Sequence, residues 1–308
     1  MSGMRLIVMG QQAFGKDCLE RLIDTGTDEV VAVYCEPDRE GKPADPIKEF
    51  ALEKGIPVHQ PANFTDQETL DELASHNADL MVMAFVNIFV PEAARDTPKQ
   101  GSICFHPSLL PLHRGPSAVN WPIIMGAKKS GYSWFYPTDG LDEGDSLMQW
   151  ECDIDPDDTV INLYFKKIYP AAVESVTQVC DLFRDGNPPH IVPDEALATY
   201  ERRCTKKHAR IDWNKPVGQV YDLIRGTNPA PGAWTIWSGA ELGIFDCARV
   251  PGDGVSSKII DVSDDGVTVQ CIGGRIQIKR IRPAGEGKMT AAEWAAAQGV
   301  SAGDRFEG

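Results

Sequence analysis

The 308-residue sequence predicts an α/β fold: a mostly parallel sheet with crossover helices, followed by a smaller all-β region. Three observations carry this. Short apolar runs alternate with helical patterns from Met4 to Arg184, the order that sets parallel strands side by side through right-handed crossovers. Residues suited to acid/base chemistry fall just after strand ends, where open α/β sheets hold their ligands. Beyond residue 232 the pattern shifts to short strands divided by Gly/Asp turns.

The first strand is expected over residues 4–10, closed by Gly10, with a turn at 11–15 into a helix over 14–25. Gly10-x4-Gly15-Lys16-Asp17 imitates a Walker A loop. Asp17 stands where the magnesium-binding hydroxyl is needed, so a tight strand-to-helix turn is the better reading, and GxGxxG is absent too. Further strands are expected at 30–35, 56–59 and 79–85, with helices at 46–54 and 66–76 between them. The strands 102–105 and 132–136 follow, with a short helix at 121–125 between them and a strand at 147–152 after them. Acidic residues at 155–158 precede a helix over 159–184, placed to favour its dipole, and Pro170 predicts a kink or break in it. Residues 186–208 read as a polar, proline-bearing linker, which sets domain bounds of 1–203 and 204–308. A helix at 217–225 then leads to strands at 233–237, 241–250, 257–262, 266–271 and 275–282, enough for a small barrel, and a short closing helix.

Bulk properties narrow the function. Forty-five acidic against 30 basic residues give a formal net charge of −15, a field that repels phosphate backbones and anionic lipid, so no nucleic-acid partner is expected. Eight scattered cysteines without CxxC or zinc spacing argue for a reducing cytoplasm and no metal. No run reaches the roughly 20 apolar residues of a membrane span, and the opening lacks a signal-peptide pattern.

The chain is organised around residues 101–145. A buried strand delivers His106, and Pro107 stops the ladder because it has no N–H. A Gly/Asp loop, TDGLDEGD, then presents Asp139, Asp142 and Asp145. The spacing fails the EF-hand pattern, whose ligands recur at every second position. A strand-end histidine with a loop carboxylate suits acid/base work on a small molecule. On spacing alone, a capped structural histidine and a solvated turn are the commoner outcomes.

The strings FHPSLLPLHRGPSAVNW and DGLDEGD resemble the signature of the folate-dependent formyltransferase family. Nearly the whole chain shares the likeness, including MRLIVMGQQAFG, PDREGKPADPIKEFALEKGIPV, MAFVNIFVP and IDWNKPVGQVYDLIRGTNPAPGAW. The family includes methionyl-tRNA and sugar-amine formyltransferases, and the nearest likeness is to the amino-terminal hydrolase domain of 10-formyltetrahydrofolate dehydrogenase. The resemblance implies a Rossmann-like sheet with helices on both faces and an OB-like carboxyl-terminal barrel. It also implies His106 and Asp142 as the catalytic pair. Folate contacts would come from Phe85, Val86, Asn87, Ile88, Phe89, Val90, Arg114, Thr138, Asp139, Gly140 and Leu141.

Two departures matter. Transferring relatives carry an asparagine two residues before the histidine, where this chain has Cys104, a neighbour of the formyl site. The hydrolase domain lacks that asparagine too. Leu112 stands where these relatives carry an arginine, although Arg114 is kept. The implied reaction is hydrolysis of 10-formyltetrahydrofolate to tetrahydrofolate and formate, without metal or nucleotide. Formyl transfer to an amino sugar, methionyl-tRNA formylation and folate binding without turnover are the alternatives. Fusion to carrier and aldehyde-dehydrogenase domains, as in the dehydrogenase, is open.

Overall fold

A computed structural model describes residues 3–254 and 257–307; Met1, Ser2, Val255, Ser256 and Gly308 lie outside the described residues. The chain forms two compact units, each assembled from three stretches: 1–114, 131–151 and 167–200 in the first, and 115–130, 152–166 and 201–308 in the second.

The first sheet is built from β1 (Arg5–Gly10), β2 (Glu29–Tyr34), β3 (Val58–His59), β4 (Leu80–Ala84), β5 (Ser102–His106), β6 (Lys129–Phe135) and β7 (Ser146–Asp153). Its order is β3-β2-β1-β4-β5-β6-β7. The pairs from β3 through to β5 are parallel, and β5 meets β6 antiparallel, so the sheet is a mixed, Rossmann-like one. Helices α1 (Gln12–Thr25), α2 (Pro46–Glu53), α3 (Gln67–Ser75) and α4 (Glu92–Arg95) occupy the crossovers. Strand β4, LMVMA, is buried at every residue, as a central parallel strand covered on both faces must be. Ile7, Met9, Met81, Met83, Phe64 and Leu73 form one core cluster here, each worth roughly 1.5–3 kcal/mol on burial.

The order reverses at β1, because β2 lies on one side of it and β4 on the other. That reversal opens a crevice beyond the carboxyl ends of β1 and β4. A Cβ on Gly10 would lie 2.5 Å from the carbonyl oxygen of Ala84, so glycine is what lets these two strand ends approach.

Helix α5 (Asn120–Ile124) follows, and the long helix expected over 159–184 is divided. It comprises α6 (Val160–Leu163), a π-helical turn at Tyr164–Ile168 and α7 (Tyr169–Arg184). Pro170 lies in the first turn of α7, where its missing N–H is not needed, and the π turn absorbs the interruption before it.

The second unit carries a separate antiparallel sheet. Strands β8 (Ala233–Trp237), β9 (Ala240–Val250), β10 (Ile259–Ser263), β11 (Gly266–Cys271) and β12 (Gly274–Pro283) run in the order β10-β11-β12-β9-β8, with β13 (Met289–Thr290) on β12. Helices α8 (Val217–Gly226) and α9 (Ala291–Gln298) bury Val220, Ile224, Trp294 and Ala295 in the same cluster as Ile244 and Ile276 of the sheet. The start of α9 is written locally. Thr290 and Glu293 exchange side-chain and backbone hydrogen bonds as a capping box. Among the described residues no helix is long and apolar enough to cross a membrane.

Candidate active site

His106 is the last residue of β5, opposite Ser133 of β6, and is 7% exposed. Its Nε2 lies 3.0 Å from the carbonyl oxygen of His113. A carbonyl only accepts, so this partner assigns the hydrogen to Nε2. Neutral His106 then keeps its lone pair on Nδ1, and the imidazolium presents Nδ1–H. That second nitrogen faces Asp142, at 3.5 Å from Oδ1. The residues expected to form a pair are therefore brought together, across 36 positions of sequence (142 − 106).

The loops that hold them carry backbone strain. Phe85, His113 and Asp142 have φ of 65°, 58° and 51°, the left-handed region that non-glycine residues adopt at a cost of about 1 kcal/mol or more. All three lie in or beside the predicted site stretches. The segment after His106 is clipped from beneath by Ser133, which is fully buried. Its hydroxyl donates to the carbonyl of Ser108 at 2.7 Å and accepts from the amide of Leu110 at 3.0 Å and from Gln149 at 2.9 Å. The Asp-bearing loop is closed at its base by the amide of Tyr136, which donates to the carbonyl of Asp145 at 2.9 Å. His190 stacks on Tyr136 at 4.0 Å, with Nδ1 3.3 Å from Asp145.

Phe85, Val86, Asn87 and Ile88 line a cleft with Met9, Gly10, Gln11 and Tyr34, at the reversal between β1 and β4. Phe89 is exposed and Val90 is buried. Thr138, Asp139 and Leu141 are exposed on the Asp loop, and Gly140 donates its amide to the hydroxyl of Thr138 at 3.3 Å. Arg95, which the sequence did not single out, connects the two groups. Its Nη1 donates to the carbonyl of Val90 at 2.5 Å and its Nη2 to Asp139 at 2.9 Å. The only local signal was a short PEAARD segment after the strand-end loop.

Arg114 is 1% exposed. Its guanidinium grips the carboxylate of Glu195 through two bonds of 2.8 and 2.7 Å and donates to the hydroxyl of Tyr200 at 2.5 Å. These contacts raise its pKa: first the bond to Glu195, against the opposing cost of burial, and then the bond to Tyr200. Residues 186–200, read as linker from composition, thus supply partners to the site loops. Thr199 also accepts from the amides of His113 and Arg114 at 2.8 and 3.0 Å.

Cys104 is half-buried opposite Met83 of β4 and packs against the core cluster. Burial pushes its thiol well above the ordinary range, and the charge of Asp142 adds to this. It stays a thiol at neutral pH, the opposite of a thiolate nucleophile. A larger groove of about 760 Å³, bordered by Tyr221, Arg225, Arg249 and Lys279, lies in the second unit, and none of the predicted site residues lines it.

The pair lies where β5 ends, at the carboxyl edge of a mixed Rossmann-like sheet, the edge at which open α/β sheets hold their ligands. The family follows from comparison. A model described as formyl transferase matches residues 4–174, and one described as formyl transferase, C-terminal domain, matches residues 203–299. The chain belongs to the formyl transferase family.

It is 38% identical over 247 residues to cytosolic 10-formyltetrahydrofolate dehydrogenase of Xenopus tropicalis. The match covers 79% of this chain but 27% of the dehydrogenase, so the chain spans about a quarter of that protein. It is 33% identical over 308 residues to methionyl-tRNA formyltransferase of Geotalea uraniireducens (strain Rf4), covering 98% of both chains. An N-formyltransferase from Helicobacter canadensis, solved with folinic acid and dTDP-3-aminofucose, matches with a TM-score of 0.67. At 16% identity over 89% of this chain and 99% of that one, the likeness is one of fold.

Proposed function

We propose that the chain hydrolyses 10-formyltetrahydrofolate to tetrahydrofolate and formate. The observation that carries this reading is the paired His106 and Asp142 beside Cys104, a thiol in the slot where transferring relatives carry an amide. An amide there would help hold the formyl oxygen for an amine; a thiol is a poor donor.

Water adds its oxygen to the formyl carbon and gives a proton to Asp142. The carbonyl oxygen becomes an oxyanion, which the Nδ1–H of imidazolium His106 stabilises, a contribution typically of about 3 kcal/mol for one donor. Collapse breaks the carbon–N10 bond, and the Nδ1 proton passes to the departing N10. The proton on Asp142 restores the imidazolium, and the formic acid released gives its remaining acidic proton to solvent and leaves as formate. Residues 85–90 and 138–141 would hold the pterin.

A second reading, formylation of a charged tRNA, draws on the distribution of charge. The first unit holds 12 Lys/Arg against 28 Asp/Glu, and the second holds 18 against 17. Arg202, Arg203, Lys206, Lys207 and Arg210 are all exposed. The net charge that argues against a polyanion thus belongs to the first unit's residues.

The test is to incubate the purified chain with 10-formyltetrahydrofolate and follow formate, alone and then with an amino sugar or a charged initiator tRNA. Formate release without an acceptor supports hydrolysis. Tetrahydrofolate release that requires an acceptor replaces it with transfer, and folate binding without turnover would leave a binding module.

A further inference from the structure

A single phenolic oxygen joins the two loops of the active site. Nη1 of Arg114 donates to the hydroxyl of Tyr200 at 2.5 Å, and that hydroxyl donates onward to Oε1 of Glu143 at 2.7 Å. The Tyr200 ring also lies 5.1 Å from the guanidinium carbon. Both ends of this chain of bonds stop one residue short of the acid/base pair. Arg114 follows His113, whose carbonyl receives the Nε2–H of His106. Glu143 follows Asp142.

The Glu143 carboxylate has a defined seat. A Cβ on Gly140 would lie 1.9 Å from Oε2, so the carboxylate folds over bare backbone at Gly140. Arg114 is fixed from its other side by Glu195, through two bonds of 2.8 and 2.7 Å. The tyrosine hydroxyl completes the connection, on a side chain that is itself 54% exposed.

We infer that Tyr200 is a positioning residue, whose hydroxyl ties Glu143 to Arg114 and so sets the approach of Asp142 to His106. The hydroxyl accepts from a cation and donates to a carboxylate, two tasks that phenylalanine cannot perform while its ring still rests on the guanidinium. Because Tyr200 is exposed, removing its oxygen leaves no buried polar group of its own to disturb the fold.

The kinetic part of this inference rests on the hydrolytic reading. The experiment compares Tyr200→Phe, Gly140→Ala, Glu143→Ala and Glu143→Gln in the full chain. Gly140→Ala displaces the Glu143 carboxylate without touching the tyrosine. Glu143→Gln keeps an acceptor oxygen and should restore most of what Glu143→Ala loses.

The expected result is a drop in kcat of about tenfold in Tyr200→Phe, with folate affinity within about threefold, as loss of alignment predicts. The Tyr200→Phe/Glu143→Ala double variant should be little worse than the poorer single, because the two share one connection. A kcat within twofold of wild type in Tyr200→Phe, with only the melting temperature lowered, would reduce the residue to a structural staple and overturn the inference. Amide hydrogen exchange over residues 138–145 reads the tie without any substrate. Unchanged exchange in Tyr200→Phe overturns the inference whatever the activity. Faster exchange there, with a wild-type chain that turns over no folate, upholds the tie while the hydrolytic reading falls.

Discussion

Nη2 of Arg95 donates to Oδ1 of Asp139 at 2.9 Å, across 44 positions of sequence. The same guanidinium holds the carbonyl of Val90, so one buried cation fixes both stretches that would grip the pterin. The geometry assigns its worth mainly to the carbonyl bond, because Asp139 is 65% exposed and an exposed ion pair contributes roughly 0–1 kcal/mol.

Arg95→Met keeps the aliphatic packing and removes both bonds. The Val90 carbonyl would then be left unsatisfied, at a cost of about 1–3 kcal/mol in urea unfolding. KM for the folate should rise by about tenfold or more with kcat less affected, because the clamp acts on binding and not on the reacting atoms. A fall in kcat at unchanged KM would place Arg95 with the chemistry instead.

On the proposed hydrolysis, His106→Ala would remove the oxyanion donor and proton source, and Asp142→Ala the water's partner. Each should lower turnover by about a hundredfold or more, with folate affinity much less changed, since both groups act mainly in the transition state. Single-turnover formate release beside calorimetric folate binding separates the two effects. Near-wild-type turnover in either variant takes that residue out of the mechanism.

Cys104→Asn tests whether the side chain in this slot steers the proposed reaction to water. The new amide would sit in a strand against the core, so the variant should fold with a loss of about 1–3 kcal/mol. A gain of amine-dependent tetrahydrofolate release over the wild type is the expected outcome. Cys104→Ala should keep turnover within a few fold, because burial holds the thiol protonated. Loss of turnover in Cys104→Ala with folate binding intact would give the sulfur a chemical role.

The sequence made the sheet legible because its central strands are short apolar runs with sharp ends; β4 and β5 differ by a residue or so from their expected bounds. His106 and Asp142 were legible because Pro107 marks where β5 stops and Gly140 and Gly144 mark the loop between β6 and β7. What stayed hidden depends on tertiary partners. Nothing in PEAARD shows that Arg95 will turn inward to Val90, and nothing in a polar, proline-bearing stretch shows that Thr199 and Tyr200 will bind residues 113, 114 and 143. The division of the 159–184 helix was half legible. Proline forbids an uninterrupted helix, but whether a kink or a π turn results is decided by packing.

Ser133 offers a stability test inside the site. Its hydroxyl serves the Ser108 carbonyl, the Leu110 amide and Gln149 at once. Ser133→Ala leaves buried backbone groups unpaired, for an expected loss of about 2–3 kcal/mol in urea unfolding, and should lower kcat by loosening the segment that carries His113. A loss below about 0.5 kcal/mol would mean that water or a shifted side chain replaces the hydroxyl.

Asp79 governs part of the acid limb of stability. Burial alone would raise its pKa, but the hydrogen bond from Lys99 Nζ at 2.8 Å and that from the Arg5 amide at 2.8 Å outweigh it and hold the carboxyl below its ordinary value. A group depressed on folding binds its proton more readily in the unfolded chain. Its contribution is therefore complete above the ordinary aspartate value, near 3.9, and is lost as pH falls through the folded value beneath that. Asp79→Asn should destabilise the protein by about 1 kcal/mol at pH 7, a modest figure because Lys99 is half exposed. The difference from wild type should shrink steadily below about pH 4, since protonation then makes the wild-type side chain resemble the amide. Urea unfolding of both proteins from pH 7 down to pH 3 checks this. A difference that stays constant over that range would show that Asp79 acts through packing or shape and not through its charge.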